Sequence, residues 1–307
     1  DYQDVTLYAA FADVFTFNLI NNNTAYSVSK GDGISYVTEI TIPTEYNGLP
    51  VTTVESSGFQ SCSTLVRVRI PNTIVNVETG KSGPNGTGSC FQSCSSLVAV
   101  EVYEVEGAVE EDIKYLSIDG VLIYKNEFNG VEIAYVPYAT KGGTYTIPSV
   151  VTTIPANAFK SCTKLEEIIV PATVEKIDDN AFASCSKVTR ITFLEAENPA
   201  EEKELVLGAN VFQSNSALVT ITLPSRLSAF NANIFASCSA LEEIKFEGSF
   251  SSVKYVAVDG VVFTADMTEL LFFPRAKAGA YTIPVGVQMI ADSACESCKA
   301  ITELTIS

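Results

Sequence analysis

The side chains best suited to chemistry in this sequence are its eight cysteines and its carboxylates, because none of the 307 residues is a histidine. Without an imidazole, Ser-His-Asp and Cys-His nucleophilic catalysis are excluded, and the commonest transition-metal ligand is missing. Cys295-Glu296-Ser297-Cys298 has the Cys-x-x-Cys spacing of redox and zinc sites, and Cys90 stands close enough to Cys94 to pair with it. Glu110-Glu111-Asp112 and Glu201-Glu202 could serve acid-base chemistry or hold calcium, although charge runs in loops are usually solvated. No constellation of groups converges on any of these, so no catalytic residues, cofactor or metal are expected.

The cysteines have a simpler explanation in the spacing. Phe59-Gln60-Ser61-Cys62-x-x-Leu65 returns as Phe91-Gln92-Ser93-Cys94-x-x-Leu97, Phe159-Lys160-Ser161-Cys162-x-x-Leu165 and Phe182-Ala183-Ser184-Cys185-x-x-Val188. It continues as Phe212-Gln213-Ser214-Asn215-x-x-Leu218, Phe235-Ala236-Ser237-Cys238-x-x-Leu241 and Cys295-Glu296-Ser297-Cys298-x-x-Ile301. The serine is invariant in these copies. Cysteine and Asn215 share one position, as expected of a buried ladder donating weak hydrogen bonds to the backbone of a neighbouring coil. Stacked side chains point in parallel, which opposes the disulfide dihedral, so free thiols are expected. Cys295 then occupies the Phe position and Cys298 the ladder position, and their Cys-x-x-Cys spacing reads as core.

The elements that position these residues follow from the same frame. Each signature leads into alternating apolar residues such as Leu65/Val68/Ile70, Leu165/Ile168/Val170 and Leu241/Ile244/Phe246, the two-residue period of a strand with one buried face. Pro71, Pro171 and Pro224 end such strands, and Pro43, Pro148 and Pro284 fall in the same frame. A second apolar set, Ile74/Val77, Val151/Ile154 and Val174/Ile177, is expected on the opposite side of the coil. Cys162 to Cys185 and Asn215 to Cys238 are each 23 residues, the basic period. Polar insertions at Thr79–Gly88 and Glu195–Glu204 lengthen two intervals. Two others hold a duplicated unit, Tyr115–Leu122 through Tyr145–Pro148 and Tyr255–Val262 through Tyr281–Pro284, in which Asp119-Gly120 and Asp259-Gly260 predict hairpin turns that keep the stack continuous.

The fold expected is a β-rich leucine-rich-repeat solenoid of about ten stacked coils, with short helical or irregular turns and a curved right-handed superhelix, forming one domain over residues 1–307. Residues 1–30 are expected to cap it as a β-hairpin around Asn21-Asn22-Asn23. At the other end, Ile301-x-x-Leu304-x-Ile306 stays in strand register up to Ser307, so the chain is expected either to have been cut there or to be covered by a partner. It begins at Asp1 without the basic and apolar segments of an export signal, as a mature or trimmed product would.

Composition narrows the partners. Hydrophobic residues make up 47% and charged residues only 18%, so a packed core is expected. The net charge of −17 argues against nucleic acid and anionic membrane surfaces. No apolar run reaches the ~18 residues of a membrane-spanning helix.

The pattern resembles the BspA-like, or Treponema pallidum-type, leucine-rich repeats, whose 23-residue unit runs Leu-x-x-Ile-x-Ile-Pro-x-x-Val-x-x-Ile-x-x-x-Ala-Phe-x-x-Cys. Ala158-Phe159-Lys160-Ser161-Cys162 and Ala181-Phe182-Ala183-Ser184-Cys185 match it most closely, while Cys90, Val211 and Ile234 replace its alanine. The resemblance implies a secreted or surface-exposed protein of a host-associated microbe, in a family associated with adhesion, with no general catalytic residues.

A binding face is expected on the outward side of the strands, where residues between the buried ones form rows. Arg67, Ala99, Glu167, Arg190, Thr220, Glu243 and Glu303 make one row; Arg69, Glu101, Ile169, Thr192, Thr222, Lys245 and Thr305 make the next. Both rows suit protein or glycan partners. The expected function is therefore a non-catalytic extracellular adhesion module. A structural spacer and a carbohydrate-active enzyme are the alternatives.

Overall fold

Val68 and Ile70, Ile168 and Val170, and Ile221 and Leu223 are buried, while the residues just before and between them, Arg67 and Arg69, Glu167 and Ile169, and Thr220 and Thr222, lie nearer the surface. That alternation is what a pleated strand with one covered face produces. The computed structural model, which describes residues 13–78, 89–126, 130–137, 139, 142–198, 203–248 and 252–306, stacks such strands into a β-solenoid of about eleven turns with almost no helix. The expectation of about ten turns was close. The chain divides into two compact units, Asp1–Thr140 with Pro155–Ala158, and Lys141–Ile154 with Phe159–Ser307.

In the first unit, strands Phe15–Ile20 and Ala25–Lys30 form the expected hairpin, turned by Asn21, Asn22 and Asn23 at φ 50°, 54° and 66°. Ala25–Lys30 runs parallel to Leu49–Val54, setting Val28 beside Val54 and tying the hairpin to the first coil. Residues 1–12 of the expected cap lie outside the described residues. The outward sheet is Glu39–Thr41, Arg67–Pro71 and Ala99–Tyr103, all parallel. On the other side of the coil, Leu49–Val54 pairs with Asn76–Val77, and Ile74 and Val77 are buried as expected.

The second unit repeats the plan. Its outward strands are Gly143–Thr146, Leu165–Val170 and Arg190–Phe193, then Thr220–Pro224 with Glu243–Glu247, and Gly279–Ile283 with Ile301–Ile306. Thr153–Ile154, Lys176–Ile177 and Val206–Leu207 line the opposite side. Pro71 and Pro224 are the last residues of their strands, and Pro171 follows one directly.

Both Asp-Gly units are hairpins. Tyr115–Ile118 pairs antiparallel with Val121–Lys125 around Asp119 and Gly120, and Tyr255–Val258 pairs with Val261–Thr264 around Asp259 and Gly260. The four turn residues have φ of 52°, 80°, 49° and 78°, the left-handed pair that fits the twist of a two-residue hairpin. Glycine is also needed for space: a Cβ on Gly120 would lie 2.9 Å from the Ala99 Cβ. That approach corrects one expectation, for Ala99 sits buried under the hairpin instead of facing outward.

The signature residues form the core. Phe159, Phe182, Phe212 and Phe235 stack with successive ring centroids 5.1, 6.0 and 5.4 Å apart, and Phe59 lies 5.8 Å from Phe91. All eight cysteines are free thiols. Cys94, Cys185 and Cys238 donate to the carbonyl oxygens of Phe59, Phe159 and Phe212 at 3.1, 3.1 and 3.0 Å. Asn215, expected as a donor, instead accepts: its Oδ1 receives the Cys185 N–H at 2.8 Å.

The invariant serine has a backbone explanation. Ser61, Ser93, Ser161, Ser184, Ser214, Ser237 and Ser297 all adopt φ of 60–63°. In that left-handed turn the N–H of Ser61, Ser161, Ser184 and Ser214 reaches the backbone oxygen of Gln92, Ala183, Gln213 and Ala236 at 2.7–2.9 Å, so the turn itself bonds coil to coil.

Candidate binding face

The ladder registers decide which outward residues meet. In the first unit, Glu39, Arg67 and Ala99 share one row and Thr41, Arg69 and Glu101 the next. Arg67 pairs with Glu101 and lies 3.7 Å from Glu39, while Arg69 lies 3.9 Å from the second oxygen of Glu101. The Arg69 guanidinium also covers the Tyr103 ring at 5.6 Å, and Tyr103 Oη donates to Ile42 O at 2.8 Å. These three sequence-predicted residues thus form one half-exposed charged cluster.

In the second unit, Thr144, Glu167 and Arg190 share a row, with Thr144 Oγ1 donating to Glu167 at 3.0 Å and Arg190 lying 3.8 Å from it. Thr192 stands beside Ile169 in the adjacent row. Thr220 faces Glu243, and Thr222 faces Lys245, which is 3.2 Å from Glu243. Arg67, Arg69, Glu101, Glu167, Arg190, Glu243 and Lys245 therefore each have an oppositely charged neighbour on the same face. Exposed pairs of this kind contribute only about 0–1 kcal/mol each, so they leave the charges available for exchange with a partner.

A groove of about 490 Å³ opens at Glu243 and Lys245, between strand Glu243–Glu247 and the Asp259-Gly260 hairpin, with Phe246, Glu247, Tyr255 and Asp259 in its lining. Sequence reasoning missed it. The duplicated Asp-Gly unit was the available signal, since it marks where a hairpin replaces a plain strand.

A second cavity of about 320 Å³ lies beside Lys30, Asp32, Ile34 and Cys62. The neighbouring Cys94 thiol holds the Cys62 thiol below its usual range, with Lys30 acting in the same direction against burial. The other thiols go the opposite way: burial pushes Cys185 up to about 12, and Cys238 and Cys298 up to about 11. Cys298 donates to Phe273 O at 3.4 Å, the ladder bond, so the Cys-x-x-Cys pair is part of the stack.

Glu110, Glu111 and Asp112 form an exposed 3-10 turn, and Glu201 and Glu202 lie outside the described residues. Among the described residues, no three His, Cys, Asp or Glu side chains gather to hold a metal, and no helix is long and apolar enough to cross a membrane. Arg226, which had no sequence signal, is buried and donates through one nitrogen to Val174 O and Lys203 O, both at 3.0 Å, securing the return of the acidic insertion.

The chain is similar in structure to the pneumococcal vaccine antigen PcpA, with 18% identity and a TM-score of 0.45 over 95% of this chain and 62% of that one. It thus spans less than two thirds of the pneumococcal chain. A leucine-rich cell surface protein of Faecalibacterium prausnitzii matches with 16% identity and a TM-score of 0.38, over 77% of this chain and 94% of that one. The leucine-rich repeat protein of T. pallidum matches with 18% identity and a TM-score of 0.30, over 96% and 80%. No curated protein matches the sequence. A family model of the BspA type leucine rich repeat region matches in six copies, over residues 33–103 and 135–261. That model covers more than half of the residues and describes a repeat rather than an enzyme: the chain belongs to the BspA-type leucine-rich repeat family.

Proposed function

We propose that this protein is a non-catalytic adhesion or recognition module, displayed outside the cell, that binds a host, matrix or cell-surface protein or glycan through its outward strands. The observation that carries this is the register of the rows. Parallel pairing sets Arg67 beside Glu39, Arg190 beside Glu167 and Lys245 beside Thr222, so polar groups of both signs repeat at the strand spacing of about 4.8 Å over successive coils. An extended partner can meet several of them at once. Location outside the cell and association with a host follow the family; continuity of the repeats as a single domain is part of the same reading.

The mutual pairing of Arg67 with Glu101 and of Arg190 with Glu167 supports a second reading, a spacer whose surface is satisfied by itself. Binding of the protein to a panel of matrix proteins and glycans separates the two. Recognition predicts a bound member whose affinity falls when Arg67, Arg190 or Lys245 is reversed to Glu. Insensitivity to all three reversals rejects this face.

A further inference from the structure

The two Asp-Gly hairpins are duplicates, yet they seat differently on the strand before them. In the first unit, the Val100 N–H donates to Gly120 O at 2.9 Å and the Val102 N–H donates to Ser117 Oγ at 2.9 Å. The serine hydroxyl thereby continues the seam between strand and hairpin. In the second unit, the Ile244 N–H donates to Gly260 O at 3.2 Å, the counterpart of the first bond. The residue matching Ser117 is Ala257, and the residue matching Val102 is Phe246. A methyl group accepts nothing. The 490 Å³ groove lies at this seam, with both Ala257 and Phe246 in its lining.

Its chemistry is uneven. Phe246 and Tyr255 are half-buried, with ring centroids 6.2 Å apart. Glu243, Glu247 and Asp259 bring three carboxylates, whereas Lys245 is the cation of the lining and lies 3.2 Å from Glu243. The groove therefore has a carboxylate excess in a chain whose net charge is already −17. Carboxylates beside aromatic faces suit an ammonium or guanidinium on an aliphatic stem, which can lay its stem on the rings and its charge among the acids.

Resting on the strand-face reading above, we propose that this groove receives an extended lysine- or arginine-rich segment of a protein partner. The backbone of such a segment enters along the seam that Ser117 closes in the first unit and Ala257 leaves open, in the manner of strand addition at a sheet edge. Its cationic side chains are held by Glu247, Asp259 and Glu243.

The test uses the whole chain and a fluorescein-labelled octapeptide of alternating lysine and valine, read by anisotropy. A peptide of alternating glutamate and valine and a neutral hexasaccharide serve as competing probes. The basic peptide is expected to bind, and to bind more weakly as salt rises. Ala257→Ser, which restores the hydroxyl, and the pair Glu247→Gln with Asp259→Asn are each expected to weaken binding about tenfold. Asparagine at 259 still favours the hairpin turn, and thermal melts establish that both variants fold. Ser117→Ala and Arg67→Glu should leave peptide binding unchanged. The proposal is overturned if the basic peptide does not bind, if either competitor binds as well, or if both groove variants bind normally. Loss of matrix binding in Arg67→Glu without any peptide binding would sink the groove alone. Peptide binding with matrix binding insensitive to all three reversals would sink the wider face alone.

Discussion

Cys185 joins three coils: its thiol donates to Phe159 O at 3.1 Å, and its own N–H donates to Asn215 Oδ1 at 2.8 Å. The side chain is fully buried, so replacing it removes packing as well as a bond. Cys185→Ala should cost about 1–2 kcal/mol, from one buried hydrogen bond and a small cavity. Urea unfolding checks this through a lower midpoint at unchanged slope. An unchanged midpoint would mean that the ladder bond does not stabilise the stack.

The same burial predicts a loss of stability in alkali. Cys185 and Cys238 are raised from 9.0 to about 12 and about 11, so both stay protonated in the fold where an unfolded thiol would ionise. A raised folded value means stability that is complete below about pH 9 and is lost as pH climbs through the folded values. Each thiol contributes a slope of about 1.4 kcal/mol per pH unit in that window. Melting temperature measured from pH 8 to 11 should be flat at first and then fall, less steeply in Cys185→Ala than in the unaltered protein.

Cys62 should behave differently from the rest of the ladder. It lines the 320 Å³ cavity beside Lys30, and the neighbouring Cys94 thiol and Lys30 favour its thiolate. Thiolate is the reactive form. Brief alkylation of the native protein, followed by peptide mass spectrometry, should label Cys62 well ahead of Cys162, Cys185 and Cys238. Equal labelling of all four would contradict the assignment.

The signature serine is held by its backbone. At Ser184, φ is 61°. Glycine adopts this conformation freely, while a β-branched residue strongly resists it. Ser184→Gly should therefore stay within about 0.5 kcal/mol of the parent, and Ser184→Val should lose roughly 2 kcal/mol. Calorimetric melts distinguish the two; a well-tolerated valine would show that the positive φ does not explain the position.

Much of this was legible because one coil is a copy of the next. Val68, Ile168 and Ile244 announced the buried face by alternation, Asp119-Gly120 announced a hairpin by its turn chemistry, and Phe159-x-Ser161-Cys162 announced the core by recurrence. What the sequence hid depends on distance in space. Invariance of Ser184 was visible, but its positive φ was not, because serine is an ordinary residue in many conformations. Ala99 held an outward position by parity and is buried only because Gly120 folds back over it. Arg226 gave no signal in the sequence, since its carbonyl partners at Val174 and Lys203 lie far along the chain. The groove depends on a Ser-to-Ala difference between duplicates, which has meaning only once Val102 is seen to bond Ser117.

The central claim is that binding lies on the outward rows and stability lies in the signatures. The direct measurement compares affinity for a bound matrix protein with melting temperature in two sets of variants, Arg67→Glu and Arg190→Glu against Cys185→Ala and Ser184→Val. The account predicts lost affinity with little change in melting for the first set, and lower melting with retained affinity in the folded protein for the second. Lost affinity in folded signature variants, with the outward variants binding normally, would contradict it.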